Sequence, residues 1–122
     1  MENTGLNIFG EPLATCSSVP LTGFLRDGCC NTNEVDFGMH TVCAVVTKDF
    51  LQFSYEQGND LITPRPEYNF DGLMPGDSWC LCASRWLDAH LAGKAPEVLL
   101  EATNEKTLDL IPKELLLKYA VK

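Results

Sequence analysis

The sequence predicts an α+β fold: a two-layer sandwich in which a small sheet carries helices on one face. Three observations predict it. The second half of the chain repeats the order strand, cap, helix three times and then adds a terminal helix. The strand segments are short and apolar, as buried strands are. The helical segments are too short, and the strands too few, for a doubly wound sheet. One layer of helices on one layer of strands is the simplest way to bury both apolar sides.

Residues 9–42 read as loops and turns, punctuated by Pro12, Pro20, Gly23, Gly28 and Gly38. So long an irregular stretch is uncommon in a small domain unless it carries function or wraps the core. Residues 41–46 are an apolar, largely β-branched run and read as the first strand. Thr47 is a good N-cap and Asp49 suits the first helical turn. Phe50, Leu51, Phe53, Ser54 and Tyr55 follow at helical spacing, and Gly58 supplies the stop. Pro64 and Pro66 make residues 59–73 extended or looped rather than helical.

The turn Pro75-Gly76-Asp77 leads into a second strand over 78–83. Ser84 is the expected cap of a helix that carries Trp86, Leu87 and Leu91 and ends at Gly93. A third strand is expected over 97–102, with Thr103 capping a short helix through Leu108. Pro112 opens the last helix at its first position, with Leu115, Leu116 and Tyr119 on one face. The likeness among these units is one of grammar, with no residue-level repeat.

The 122 residues fit one domain, 1–122, with residues 1–6 read as a loose end. An apolar content of 45% is ordinary for a globular protein. The net charge is −8, and Arg26 is the lone basic residue before Lys48. Nucleic-acid binding and docking on an anionic membrane both need clustered Lys and Arg, so neither partner is expected. No basic and apolar leader pattern is seen, and no apolar run nears the roughly 18 residues of a membrane span. The expected compartment is therefore the cytoplasm. Six cysteines are many for this length. In a reducing compartment they are expected as thiols, metal ligands or catalytic groups rather than as disulfides.

Several blocks together carry a family resemblance: Arg26-Asp27-Gly28-Cys29-Cys30-Asn31-Thr32, then His40-Thr41-Val42-Cys43-Ala44-Val45, then Gly58-Asn59-Asp60-Leu61 with Thr63-Pro64-Arg65-Pro66-Glu67, then Pro75-Gly76-Asp77 with Trp79-Cys80-Leu81-Cys82-Ala83. Over about residues 7–120 the chain resembles domain-of-unknown-function family 2237, small uncharacterised proteins of bacteria and plants. The resemblance implies a two-layer α+β fold and no particular activity. The family's last block usually reads Glu-Ala-Thr-His-Glu, whereas here Asn104 stands in the histidine's place. A role for that histidine does not carry over.

The cysteines are the first candidates for chemistry. Cys80 and Cys82 are two apart on an expected strand and so share a face. Cys29 and Cys30 are adjacent in a loop, Cys43 lies on the first strand, and Cys16 stands alone. Cys29, Cys30, Cys80 and Cys82 are candidate reactive thiols, with Arg26 and Arg85 as neighbouring cations that favour a thiolate. The same four are the candidate ligands for zinc, although C-C and C-x-C depart from the usual zinc knuckle. Against both stands simple burial, since free cysteine is among the most buried residues. His40 is a candidate general base, with a hydrogen-bonded structural role as its plain alternative. His90 is expected to face solvent.

Arg26, Asp27, Asn59, Asp60, Arg65, Trp79 and Arg85 form a second candidate set, for binding a small molecule. Arginine forks hold carboxylate or phosphate, and an indole makes an apolar wall. The alternative is loop-fixing, which aspartates in turns commonly do. No nucleophile elbow, P-loop, dinucleotide fingerprint or zinc-protease motif occurs. The leading expectation is thus a Cys/Arg-lined small-molecule or thiol-dependent site. An interaction module without catalysis and a structural zinc domain are the alternatives.

Overall fold

The computed structural model of the chain describes residues 5–18, 22, 28–32, 36, 38–68 and 70–121. Three strands, β1 (His40–Val45), β2 (Ser78–Cys82) and β3 (Glu97–Val98), pair antiparallel in the order β2-β1-β3. With the helices α1 (Lys48–Glu56), α2 (Ala83–Leu91) and α3 (Lys113–Lys118), they make the expected α+β architecture. Among the described residues no helix is long and apolar enough to cross a membrane.

Alternation along β1 and β2 divides the sheet into two buried sides. Val42, Ala44, Trp79 and Leu81 join the main core with Phe50 and Leu51 of α1, Trp86 and Ala89 of α2, and Leu116 of α3. Each fully buried side chain of this size contributes about 1.5–3 kcal/mol. Cys43 and Cys80 belong to a second cluster with Cys16, Cys30 and Ala102, covered by the irregular N-terminal segment. The described parts of that segment around Cys16 and Cys30 therefore pack against the sheet.

The cap of α1 is as the sequence predicts: Thr47 Oγ1 accepts a hydrogen bond from Phe50 N at 3.0 Å. Gly58, at φ 89°, leaves the helix in the left-handed region. The start of α2 differs. The helix begins at Ala83, so Cys82 and not Ser84 occupies the cap position, and it makes no side-chain cap bond. Ala83 N donates instead to Met39 O at 3.0 Å, which ties the start of α2 to the entry of β1. His90 is also corrected. It stacks on Trp86 at 5.9 Å and its Nδ1 meets the Tyr119 hydroxyl at 2.8 Å, so it locks α2 to the chain end rather than facing solvent. Trp86 Nε1 donates to Pro96 O at 3.1 Å, which satisfies the indole in the core.

The third strand is shorter than expected, because the chain leaves the sheet after Val98 and turns into a 3₁₀ helix at Leu100–Ala102. Thr103 explains the departure. Its hydroxyl accepts from Cys43 N at 3.2 Å and donates to Leu99 O at 2.9 Å, taking a ladder position that a strand would have filled. Asn104, not Thr103, then caps the next 3₁₀ helix, Glu105–Asp109, through Oδ1 to Lys106 N at 2.9 Å. Residues 5 and 6 are not loose either. Leu13 N donates to Gly5 O at 3.1 Å and Glu105 N donates to Leu6 O at 2.9 Å. Of the expected loose end, residues 1–4 lie outside the described residues.

Candidate functional site

The entry to β1 is an unusual piece of backbone. Met39 sits at φ 50°, the left-handed region, at a cost of about 1–2 kcal/mol for a residue with a side chain. Asp36 fixes this turn from one end. Its carboxylate is fully buried, and Oδ2 accepts from Thr32 Oγ1 at 2.9 Å and from His40 N at 3.0 Å. Its other oxygen, Oδ1, lies 2.6 Å from His40 Nδ1. A carboxylate at that nitrogen is the natural acceptor for an Nδ1 proton and fixes the orientation of the ring.

The imidazole lies over Gly38, where an added Cβ would come within 2.9 Å of His40 Cε1. The ring is thus held by a carboxylate on one edge and by the absence of a side chain beneath it. Its side chain is 41% exposed, so the ring reaches the surface while Asp36 does not.

A register shift between His40 and Val42 brings His40 opposite Cys82 on β2. Directly paired residues of antiparallel strands have their Cβ atoms about 5 Å apart on one face. Cys82 is a half-buried thiol outside the disulfides, with Sγ 3.2 Å from Ser84 Oγ. It stands at the amide end of α2, where the first turn leaves backbone N–H groups without an intrahelical acceptor. Cys82 and His40 are therefore ladder partners at one end of the sheet, and the buried Asp36 carboxylate holds the imidazole.

The other cysteines are arranged differently from the expectation. Cys16 is bonded to Cys43, and Cys30 to Cys80. Cys30 and Cys80 are therefore not thiols in this state, and no vicinal Cys29–Cys30 bond forms. Of the expected ligand set of Cys29, Cys30, Cys80 and Cys82, Cys30 and Cys80 are joined to each other and Cys29 and Cys82 are outside the disulfides. The sulfurs that gather are those of Cys16, Cys30 and Cys80, all within 4.8 Å of one another. The reason is topological: Cys43 and Cys80 face each other across β1 and β2, and the N-terminal segment folds over both. Cys29 stays outside the bonds, buried, with Sγ 4.0 Å from Thr15 Oγ1.

Residues 6–120 match the family described as "Uncharacterized protein conserved in bacteria (DUF2237)". The chain belongs to this family. None of the curated proteins matches it. At the position where the family's histidine is expected, Asn104 is buried and donates from Nδ2 to Cys30 O at 3.0 Å. It pins the disulfide loop, and its backbone N donates to Thr41 O at 2.9 Å, one residue beyond His40.

The described members of the expected small-molecule set each have local partners. Arg26 and Asp27 lie outside the described residues. Asp60 Oδ1 accepts from Ile62 N at 2.9 Å and Thr63 N at 3.0 Å, fixing its own loop. The Thr63 side chain and backbone donors, with Arg65 a lesser influence, hold the Asp60 carboxyl below its ordinary value of 3.8. Asn59 N closes the same region on Ser54 O at 2.9 Å. Arg85 Nη1 donates to Gln57 O at 3.0 Å, serving the end of α1. Trp79 is buried against Phe70, with ring centroids 5.3 Å apart. An open apolar cleft of about 320 Å³ lies elsewhere, lined by Leu51, Ile62, Leu73 and Met74 among others.

Asp36 is the residue that sequence reasoning missed. Its signal is the spacing: an aspartate four residues before a histidine, with glycine two before it, is a pattern a tight turn can close. Cys16 stands alone in the sequence, and its partner Cys43 lies on a strand at a sequence separation of 27.

Proposed function

We propose that the chain carries a cysteine-nucleophile site in which Cys82 attacks, His40 moves the proton and Asp36 orients the imidazole. The observation that carries this reading is the buried Asp36 carboxylate on His40 Nδ1 at 2.6 Å, with His40 paired across the sheet to a thiol outside the disulfides. Nucleophile, base and orienting acid is the order that activated cysteines require.

The substrate class that suits it is a small activated acyl compound. The Cys82 thiol proton passes to His40 Nε2 as sulfur forms a bond to the carbonyl carbon. The leaving group departs with that proton, and a thioester on Cys82 remains. Water, giving a proton to the same nitrogen, then releases the acid and restores the thiol. The first-turn amides of α2, at Ser84 and Arg85, are the nearest donors for the oxyanion.

The test is acylation by a chromogenic ester, followed by intact mass and peptide mapping. The expected result is a single acyl adduct on Cys82, absent in Cys82→Ala and still formed in Cys29→Ala. Acylation of Cys29 instead, or equal labelling of the heat-unfolded chain, contradicts the reading.

A further inference from the structure

Apart from that site, the molecule gathers four cysteine sulfurs in one buried cluster against the sheet. Cys16, Cys30 and Cys80 bring their sulfurs within 4.8 Å of one another, and the fourth cysteine, Cys43, is bonded to Cys16. All four are 8% exposed or less. A zinc ion holds thiolates at about 2.3 Å, so the sulfurs of a tetrahedral four-cysteine site stand roughly 3.8 Å apart. The bonded pairs must open to reach that spacing, while Cys16, Cys30 and Cys80 already have their sulfurs within 4.8 Å of one another.

We propose that Cys16, Cys30, Cys43 and Cys80 are the ligands of a structural zinc site that forms when both disulfides are reduced. Each disulfide becomes two thiols by taking two electrons and two protons from a dithiol, which is oxidised to its own disulfide, or two electrons from a phosphine and two protons from water, whose oxygen leaves as the phosphine oxide. Zinc then displaces four thiol protons to solvent and binds four thiolates. No position is left for water or substrate, so the ion is structural and not catalytic. Soft thiolate ligands select zinc over magnesium or calcium, and the ion's own charge offsets part of the thiolate charge in this apolar pocket.

The ligand geometry does not need a knuckle. Two ligands, Cys43 and Cys80, are paired residues of β1 and β2, and the sheet fixes their separation. The other two arrive on the N-terminal segment, where Cys16 N donates to Gly28 O at 2.7 Å and holds the stretch before Cys30 against that around Cys16. Either form, disulfide or zinc, fastens this segment to the sheet at the same four residues. The segment therefore has an anchor in both oxidising and reducing surroundings.

The experiment uses the full chain, reduced by a phosphine without oxygen and titrated with zinc. Native mass spectrometry is expected to show one zinc per chain, and zinc is expected to raise the melting temperature of the reduced protein. Cadmium substituted for zinc gives a thiolate charge-transfer band whose intensity reports the ligand number. Cys43→Ser is expected to weaken binding roughly 100-fold or more, while the double variant Cys29→Ser/Cys82→Ser keeps it. If Cys43→Ser fails to fold, the wild-type chain decides alone, through its cadmium spectrum and its melting shift. No zinc bound at one equivalent, or binding lost with Cys29 and Cys82, overturns the proposal. Neither result bears on acylation of Cys82, which is measured on the oxidised chain.

Discussion

Cys43 and Cys80 are partners across β1 and β2, yet each is bonded to a cysteine of the N-terminal segment and not to the other. The two disulfides thus join the N-terminal segment to the sheet rather than one strand to the other. They fasten a stretch with little regular structure of its own to strands that hold themselves together. Peptide mapping without reduction is expected to return the pairs Cys16–Cys43 and Cys30–Cys80. With 50 residues between its ends, the second bond constrains the unfolded chain the more. Removing it as Cys30→Ala/Cys80→Ala is expected to cost about 2–4 kcal/mol in denaturant unfolding of the oxidised protein. A loss under about 0.5 kcal/mol would mean that the segment is held by its hydrogen bonds instead.

Gly38 tests how the imidazole is placed. Its backbone is not in the left-handed region, so alanine is tolerated by the chain itself. The added Cβ would meet His40 Cε1 at 2.9 Å, and the ring cannot simply swing away without leaving Asp36. Gly38→Ala is expected to lower acylation of Cys82 roughly tenfold, because small misplacements of a base are costly. Its melting temperature should stay close to that of the wild type. Unchanged acylation would show that the ring is not positioned from below.

The strands, the α1 cap and the α3 face were legible because they rest on local rules. Thr47 needs only the amide three residues on, and Leu115, Leu116 and Tyr119 need only helical spacing. What was not legible depends on distant partners. Residues 97–102 read as a strand by composition, but the Thr103 hydroxyl competes for Cys43 N and curls the segment. The disulfides were unreadable because pairing six cysteines is a question of fold, and the expected reducing compartment argued against any bond. His40 was named from its chemistry alone. Its partner Asp36 and its opposite Cys82 appear only once the register shift in β1 is known.

The contact between His90 and Tyr119 closes the C-terminal end. Tyr119→Phe removes the 2.8 Å hydrogen bond while keeping the edge-on packing against Trp86 at 4.8 Å. A loss of about 0.5–1.5 kcal/mol in unfolding free energy is expected. Tyr119→Ala should cost more, because the aromatic contact goes too. Equal effects would show that the ring contact contributes nothing beyond the hydroxyl, and an unchanged Tyr119→Phe would show that the hydroxyl contributes nothing.

Asp60 gives the pH prediction. Its carboxyl is held below 3.8 by the Thr63 donors first, so the folded form prefers the carboxylate. Whatever this adds to the loop is complete above the unfolded value and is lost as pH falls through the lower folded one. NMR titration of the Asp60 carboxyl is expected to give a midpoint below 3.8. In Asp60→Ala the amides of Ile62 and Thr63, which donate to that carboxylate, should exchange faster at every pH. A midpoint above the ordinary value contradicts the bonding described.

The account rests most heavily on His40 acting upon Cys82. The direct measurement is the rate at which iodoacetamide alkylates Cys82 in the oxidised, folded chain, compared among wild type, His40→Gln and Asp36→Asn. The account predicts a fall of roughly 10-fold or more in His40→Gln and a smaller fall in Asp36→Asn, with Cys29 unchanged throughout. Equal alkylation rates in all three proteins would contradict it and leave Cys82 an ordinary surface thiol.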